Sequence, residues 1–175
     1  MTGRVQDLWV FGYGSLMWRP DFPFEERMKA SLRGFHRALC VYSHVHRGTP
    51  EAPGLVMGLD RGGSCLGLAY RVAAHQAHET IRYLREREQV TSVYVERLLP
   101  VILADGRRQL ALTYIVDRTH RQYAGRLPEE ELLRFIRQGI GQSGPNPDYV
   151  VRTHAQLAEL GVRDSLLGRL ARQLG

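Results

Sequence analysis

The sequence predicts an α+β fold, with strands in the first two-thirds of the chain and helices in the last third. Apolar, strand-like runs bounded by glycine and other turn residues recur from Leu8 to Val116, and helical patterns follow Leu127. Because strands and helices do not alternate, a doubly wound α/β fold is excluded. The 175 residues contain no repeat and no linker, so we expect one domain over residues 1–175, built on a partly closed sheet or small barrel.

Six strands are predicted from the apolar runs and the turns between them. The turn Asp60-Arg61-Gly62-Gly63 separates the third strand from the fourth. The Asp-Gly pair in Ala104-Asp105-Gly106-Arg107 predicts a hairpin between the last two. The strands are Leu8 to Tyr13, Phe35 to Tyr42, Gly54 to Leu59, Ser64 to Val72, Val93 to Leu103 and Gln109 to Val116.

Four helices are predicted, the first from Ala74 to Gln89. The second opens at Pro128 and Glu129-Glu130-Glu131 and ends near Gly139, since proline suits a first helical turn and acidic residues suit the positive end of the helix dipole. A loop dense in turn residues, Gly141 to Asp148, comes next. The last two helices are Tyr149 to Leu160 and Asp164 to Leu174, with Gly161 between them.

The charge pattern argues against nucleic-acid binding. The net charge is +6, and Lys29 is the only lysine, so arginine supplies the other 23 of the 24 cationic residues. These arginines are spread along the chain, whereas nucleic-acid binding favours a concentrated basic face. The balance is compatible with small anionic ligands.

The compartment is expected to be the cytoplasm. No run of 18 apolar residues predicts a membrane span, and the N-terminal residues lack the pattern of a secretory signal. Cys40 and Cys65 lie in strand-like runs without a metal-site or disulfide-framework spacing. We expect both to be small buried hydrophobes.

The segment Phe11-Gly12-Tyr13-Gly14-Ser15-Leu16, at the end of the first strand, is predicted to be a binding loop. It is not a dinucleotide fingerprint, because Met17 stands at the third glycine position and Pro20 prevents a following helix. Glycines on both sides of Tyr13 let the backbone approach a ligand and take positive φ where needed. Consecutive N–H groups in such a turn can hold an anion or oxyanion. The alternative is a glycine-eased bend at a strand end.

Glu88 is a carboxylate on the buried face of the first predicted helix. At about 100° per residue, Glu88 lies within roughly 40° of the apolar stripe that begins at Ala77, while Glu86 lies on the opposite side. A buried carboxylate is costly unless it is paired or used, and desolvation makes it a better base near neutral pH. The alternatives are a last-turn residue that reaches solvent, or an ion pair with Arg47 or another arginine.

A series of short motifs along the chain occurs in the order found in a known enzyme family. Through these motifs the chain resembles the ChaC family of γ-glutamylcyclotransferases from Leu8 to Leu170. Several motifs in the family's order identify a family more specifically than any single motif does. The motifs are Val10-Phe11-Gly12-Tyr13-Gly14-Ser15-Leu16-Met17-Trp18, Asp21-Phe22-Pro23-Phe24, His46-Arg47-Gly48-Thr49-Pro50, Pro53-Gly54, Gly67-Leu68-Ala69-Tyr70-Arg71, Tyr83-Leu84-Arg85-Glu86-Arg87-Glu88, and Ser143-Gly144-Pro145-Asn146 with Tyr149.

The resemblance implies a fold, an activity and a site. The fold is a γ-glutamylcyclotransferase-like mixed β-barrel flanked by helices, with helices at the C-terminal end. The activity is cleavage of glutathione to 5-oxoproline and Cys-Gly without a cofactor, with Glu88 as the acid/base. Many members continue with Gly-Gly-Tyr where this chain has Gln89-Val90-Thr91-Ser92-Val93-Tyr94, a departure that bears on pocket shape and substrate preference. The γ-glutamyl part of the substrate is expected at Gly12, Tyr13, Gly14, Ser15, Leu16 and Met17.

Further candidates carry less weight. Arg47 could pair with a substrate carboxylate, and Tyr149 could lend its hydroxyl to the site or simply pack. The loop from Ser143 to Asn146 is a substrate-side loop by resemblance and a helix-connecting turn by composition. No metal site is predicted, because the pairs His44-x-His46 and His75-x-x-His78 lack an evident third ligand.

Three other functions are compatible with the sequence. The chain could be a cyclotransferase for other γ-glutamyl peptides or amines. It could instead be a non-catalytic domain that binds a small metabolite or a protein partner. A basic nucleic-acid binder is the most distant of the three.

Overall fold

A computed structural model describes residues 6–88 and 92–175. The predicted division into a strand-rich part followed by a helix-rich part is confirmed. The strands are β1 Leu8–Gly12, β2 Glu26–Ser43, β3 Gly54–Val72, β4 Tyr94–Leu103, β5 Arg108–Val116, β6 Ile140–Gly141 and β7 Gly144–Pro145. The helices are α1 Ala77–Glu88, α2 Glu129–Gln138, α3 Asn146–Glu159 and α4 Ser165–Leu174, with short 3-10 turns at Ser15–Met17 and Ala74–Gln76.

The five long strands form a closed barrel in the order β1-β3-β2-β4-β5. Strand β1 pairs antiparallel with β3 and parallel with β5, so the barrel is mixed. Strands β4 and β5 form the hairpin predicted from the Asp-Gly turn, in which Gly106 takes a φ of 91°. The α+β prediction with a small mixed barrel is therefore confirmed.

Two strands are longer than the sequence predicted. Strand β2 begins at Glu26 rather than Phe35, because buried Ala30 and Leu32 alternate with polar residues in a period of two. The turn predicted at Asp60 to Gly63 is wrong, because β3 runs through it without a break. Gly62 and Gly63 take φ values of 102° and 67° inside the strand, so here left-handed glycines interrupt its regular geometry without ending it.

The helix boundaries also differ in two places. Helix α1 begins at Ala77 after a 3-10 turn, and the predicted end at Gln89 lies outside the described residues. Helix α3 begins at Asn146 rather than Tyr149, because Pro147 fits the first helical turn. The end of α2 near Gly139 is confirmed, and so is the start of α4, where the Asp164 side chain accepts from the Leu167 N–H at 3.0 Å.

The chain divides into two compact units. The first unit comprises residues 1–37 and 59–117, and the second comprises residues 38–58 and 118–175. Cys40 and Cys65 are buried, as predicted, and are not joined in a disulfide. Within the described ranges, every helix is too short or too polar to span a bilayer. The single domain over residues 1–175 stays a prediction.

Gly67 in β3 provides a test of close packing in the first unit. A Cβ atom there would overlap the carbonyl oxygen of Gly12 and lie 2.7 Å from Cζ of Phe11. We expect Gly67→Ala to lower the free energy of unfolding by about 1–3 kcal/mol, as overpacking does. Gly168→Ala in α4 is the control, because its Cβ would meet ordinary contacts from 3.4 Å outward. That change should instead stabilise the helix by up to about 1 kcal/mol. Urea unfolding of both variants measures the contrast, and equal effects would contradict it.

Candidate active site

The glycine loop that follows β1 is fixed in place by a buried tyrosine. Tyr70 of β3 is 0% exposed, and its hydroxyl donates to the carbonyl oxygens of Leu16 at 2.6 Å and Met17 at 3.1 Å. Burial raises the pKa of Tyr70, so the hydroxyl keeps its proton and remains a donor. The loop is therefore held on its carbonyl side by the barrel.

The two loop glycines serve different purposes. A Cβ atom on Gly12 would lie 2.9 Å from Cβ of Leu16, so Gly12 is required by packing within the loop. A Cβ atom on Gly14 would meet nothing within 4 Å. Because Gly14 has a φ of −134°, its role is not a left-handed turn. The absence of a side chain at Gly14 leaves open space beside the loop, next to the exposed Ser15.

Hydrogen bonds occupy the carbonyl groups of the loop. The Tyr13 carbonyl accepts from Nε of Arg37 at 2.6 Å, and the Gly14 carbonyl accepts from the Met17 N–H at 2.9 Å. Met17 N–H is thus engaged, and its side chain is fully buried. The first N–H groups of a helical turn have no partner within the turn, which makes Ser15 and Leu16 the candidate donors to a ligand.

Glu88, at the last residue of α1, lies on the buried side of the helix. Leu84, one turn earlier, is 0% exposed, the Glu88 side chain is 18% exposed, and the Glu86 side chain is 70% exposed. The predicted difference between the two glutamates is confirmed. Burial raises the pKa of Glu88, and the positive charge of Arg87 partly opposes that rise. The arrangement gives a carboxyl group suited to proton transfer nearer neutral pH.

Arg87 connects α1 to the glycine loop, a role that the sequence analysis did not identify. Its Nη2 donates to Oγ of Ser15 at 2.8 Å, while its Nη1 donates to the Arg19 carbonyl at 2.7 Å and to the Tyr83 hydroxyl at 3.0 Å. Its Nε lies 3.9 Å from Oε1 of Glu88. The spacing of four residues from Tyr83 was a signal in the sequence, since such residues are neighbours on a helix.

A second polar network lies beside Glu88 in the same unit. The buried Tyr114 of β5 donates to Oε1 of Glu96 at 2.9 Å, and Arg85 donates to Oε2 of Glu96 at 3.0 Å. Hydrogen bonding from Arg85 lowers the pKa of Glu96, whereas burial raises that of Tyr114. The charge of Glu88 also contributes to the raised pKa of Tyr114, so Glu88 has a neutral hydroxyl group near it.

A cavity of about 330 Å³ lies beside Arg87. Its wall carries charges of both signs, and neither Glu88 nor a residue of the glycine loop contributes to that wall. Because the lining residue Arg87 also contacts Ser15, the cavity borders the glycine loop. Its lining consists of Arg19, Asp21, Tyr83, Glu86 and Arg87.

The second unit brings Arg47 and Tyr149 together. The Arg47 guanidinium carbon lies 5.5 Å from the centroid of the Tyr149 ring, and Nη1 of Arg47 donates to the Pro145 carbonyl at 3.1 Å. The Tyr149 hydroxyl accepts from the Met57 N–H at 2.9 Å. These polar groups thus bind the backbone of their own unit, and a role for either residue in binding substrate stays a prediction.

Asn146 stabilises the backbone of the second unit. It is 0% exposed, and its side-chain amide accepts from the Leu55 N–H at 2.8 Å and donates to the Leu55 carbonyl at 2.9 Å. Gly54 and Gly139 pack closely between Asn146 and the backbone of Arg47. A Cβ atom on either glycine would overlap the Arg47 carbonyl oxygen and lie within 3.0 Å of the Asn146 side chain. The motif from Ser143 to Asn146 follows α2 and contains β7 and the first residue of α3, and a role on the substrate side stays a prediction.

The remaining predictions concern histidines and the departure from the family pattern. Among residues 6–88 and 92–175, no three His, Cys, Asp or Glu side chains are grouped to hold a metal ion. His46 instead contacts Oγ of Ser143 at 3.1 Å through Nδ1. The residues Gln89-Val90-Thr91, where the chain departs from the family, lie outside the described residues.

Comparisons with known proteins point to one family. The model of the ChaC-like protein family matches residues 8–174. The glutathione-specific γ-glutamylcyclotransferase of Escherichia coli (strain K12) is 34% identical over 163 residues, which cover 93% of this chain and 71% of that protein. The glutathione-specific γ-glutamylcyclotransferase 1 of Mus musculus is 36% identical over 154 residues, covering 86% and 69% respectively.

The fold is also found in a solved structure. The crystal structure of a γ-glutamylcyclotransferase specific to glutathione from yeast superimposes with a TM-score of 0.86 at 24% sequence identity. The superposition covers 97% of this chain and 96% of the yeast chain. The mixed barrel with its flanking helices is thus the fold of that structure.

The structural role of Asn146 can be tested by truncation. Asn146→Ala leaves the buried N–H and carbonyl groups of Leu55 without their side-chain partners. We expect the free energy of unfolding to fall by about 2–4 kcal/mol, the cost of two unsatisfied buried groups. The control is Gln142→Ala, an exposed position in the same loop, which should change stability by less than about 0.5 kcal/mol. Urea unfolding measures both, and a mild effect of Asn146→Ala would contradict the assignment.

The burial of Glu88 predicts a pH-dependent effect on stability. Because its pKa is raised in the folded state, the native protein binds more protons than the unfolded chain between the two pKa values, and stability falls as pH rises through that interval. Glu88→Gln cannot ionise. Glu88→Gln should therefore be more stable than the parent above the interval, and the gain should shrink as pH falls toward the ordinary value of 4.5. Urea unfolding from pH 4.5 to 8 measures it, with exposed Glu86→Gln as control; a pH-independent gain would contradict it.

Proposed function

Because the chain belongs to the ChaC-like protein family, we propose that it is a γ-glutamylcyclotransferase that cleaves glutathione to 5-oxoproline and Cys-Gly. The observation that carries the proposal is the buried Glu88 carboxyl, whose pKa is raised and whose neighbour Arg87 binds the glycine loop directly. The names of the two relatives support glutathione as the substrate. We also propose a cytoplasmic location, with which two buried cysteines outside any disulfide are compatible.

The proposed reaction uses a nucleophile that the substrate itself carries. The α-amine of the γ-glutamyl group attacks the γ-carbonyl carbon while the Glu88 carboxylate takes a proton from the amine. The tetrahedral intermediate then expels the cysteine nitrogen, which receives that proton from Glu88. One C–N bond forms and one breaks, so the reaction consumes no water and needs no cofactor. Binding the γ-glutamyl chain in a curled conformation lowers the barrier further.

The glycine loop is proposed to hold the γ-glutamyl group and the developing oxyanion. All six residues from Gly12 to Met17 remain in the proposed site, but the direct contacts concentrate at Gly14 and Ser15. Gly14 offers open space, and Ser15 is exposed. The N–H groups of Ser15 and Leu16 are the proposed oxyanion donors, and such a donor contributes about 2.7–4 kcal/mol to transition-state stabilisation. Leu16 contributes its N–H rather than its buried side chain, and Met17 supports the turn, because its N–H binds the Gly14 carbonyl and its side chain is buried.

The activity is tested by incubation of the purified protein with glutathione and assay of 5-oxoproline and Cys-Gly. We expect release of both in equal amounts. Glu88→Gln nearly preserves shape and removes the base, so kcat should fall by about 10²–10⁴-fold. Glu86→Gln, the matched change on the exposed side of α1, should keep parental turnover. Near-normal turnover by Glu88→Gln would rule out its role. Faster release from γ-glutamyl-alanine than from glutathione would point to another γ-glutamyl substrate, and binding without turnover to a non-catalytic domain.

The role of the loop is tested by Gly14→Val. The added side chain enters the open space beside the loop, where we expect it to obstruct the γ-glutamyl group and raise the Kd by at least about tenfold, or 1.4 kcal/mol. Calorimetric titration of glutathione into variants that also carry Glu88→Gln separates binding from turnover. Ala104→Val in the exposed hairpin turn is the control. Unimpaired binding by a folded Gly14→Val protein would exclude the loop as the contact surface.

A further inference from the structure

We propose that Arg87 is a positioning residue that fixes the Ser15 end of the glycine loop to the last turn of α1, where Glu88 lies. This inference rests on the proposed function of the same site. It assigns Arg87 no contact with substrate. Its role is to hold the two parts of the site in register, so that the loop and the carboxyl group act on one ligand.

The contacts of Arg87 span three chain segments of the first unit. Its two terminal nitrogens bind separate acceptors: Nη2 donates to Ser15 in the loop, and Nη1 donates to the Arg19 carbonyl beyond it and to Tyr83 on α1. The side chain is only 17% exposed, which strengthens hydrogen bonds to a charged donor. A lysine has a single nitrogen on a flexible stem, so it cannot reproduce this planar arrangement.

Arg87 lies near Glu88 but forms no hydrogen bond to it. At 3.9 Å, the Nε to Oε1 separation is too long for a hydrogen bond, so Arg87 acts on Glu88 through its charge. Among residues 6–88 and 92–175, the charged or titratable groups coupled electrostatically to Glu88 are Arg87 on its own helix and Tyr114 on β5. Tyr114 is bound in turn to Glu96 of β4, whose charge Arg85 balances. Loss of Arg87 therefore removes the nearby positive charge and the connection to the loop together.

Two substitutions separate these effects. Arg87→Gln removes both the charge and most of the hydrogen bonds, whereas Arg87→Lys keeps the charge. With glutathione as substrate, we expect Arg87→Gln to lower kcat/KM by about 100-fold, the typical cost of a misplaced group, and to move the acidic limb of its pH profile upward. Arg87→Lys keeps the positive charge, so the acidic limb of the pH profile should return toward the parental pH. Its kcat/KM should stay reduced, because lysine does not restore the hydrogen bonds to the loop. Arg82→Gln is the matched control, because Arg82 is 76% exposed on the same helix.

A double-mutant cycle tests the contact with the loop. Ser15→Ala removes the acceptor of Nη2 at an exposed position, where the fold should tolerate the change. If Arg87 acts through Ser15, the loss of kcat/KM in Ser15→Ala/Arg87→Lys should be smaller than the product of the two single losses. A full multiplicative loss, or an Arg87→Gln enzyme indistinguishable from Arg82→Gln, would overturn the proposal.

A readout without turnover distinguishes failure of this inference from failure of the proposed function. If the parent protein releases no 5-oxoproline, the proposed function fails. NMR of the same variants then decides the inference alone. The ¹³C titration of the Glu88 carboxyl should move to higher pH in Arg87→Gln and return in Arg87→Lys, and the ¹⁵N–¹H signals of Ser15 and Leu16 should shift in both. Spectra that match Arg82→Gln in both respects would overturn the positioning role.

Discussion

The candidate site depends on the attachment of the glycine loop to the barrel wall by Tyr70. The buried side chains of Leu16 and Met17 anchor the loop, and its carbonyl groups need hydrogen-bond support from elsewhere. Tyr70 supplies it from a fully buried position on β3, through two hydrogen bonds to loop carbonyls. The close approach of Gly67 to Gly12 brings the same strand against the end of β1. Carbonyl groups are thus directed toward the protein, and the first N–H groups of the turn remain for a ligand.

Around the last turn of α1, two arginines have different effects on two carboxylates. Arg85 forms direct hydrogen bonds with Glu96 and lowers its pKa, which makes that pair a structural ion pair. Arg87 donates hydrogen bonds to the loop and to Tyr83. Its positive charge lies near the Glu88 carboxyl, at 3.9 Å, without a hydrogen bond to it. Among the described carboxyl groups with a shifted pKa, Glu88 is the one whose pKa is raised. Within one turn of α1, one arginine thus pairs with a structural carboxylate, and the other lies beside the carboxyl proposed to transfer protons.

The motifs of the second unit have a structural explanation of their own. Asn146 supplies Leu55 with the donor and acceptor that a neighbouring strand would otherwise provide. Close packing of Gly54 and Gly139 requires positions without a side chain. The Arg47 guanidinium packs over the Tyr149 ring, and both side chains form hydrogen bonds with nearby backbone groups. Backbone packing thus explains these residues, and a role for Arg47 or Tyr149 in binding substrate stays a prediction.

The sequence by itself determined the α+β class, the Asp-Gly hairpin, the main helices and the unusual position of Glu88. These features follow from local periodicity, turn chemistry and helical spacing, which neighbouring residues specify. The length of β2, the continuity of β3 through Gly62 and Gly63, and the different uses of Gly12 and Gly14 were decided by tertiary structure. So was the role of Arg87, which lies 72 residues from Ser15 in the chain. Each depends on atoms that only folding brings within contact distance, and no local pattern records which partner an arginine or a glycine will meet.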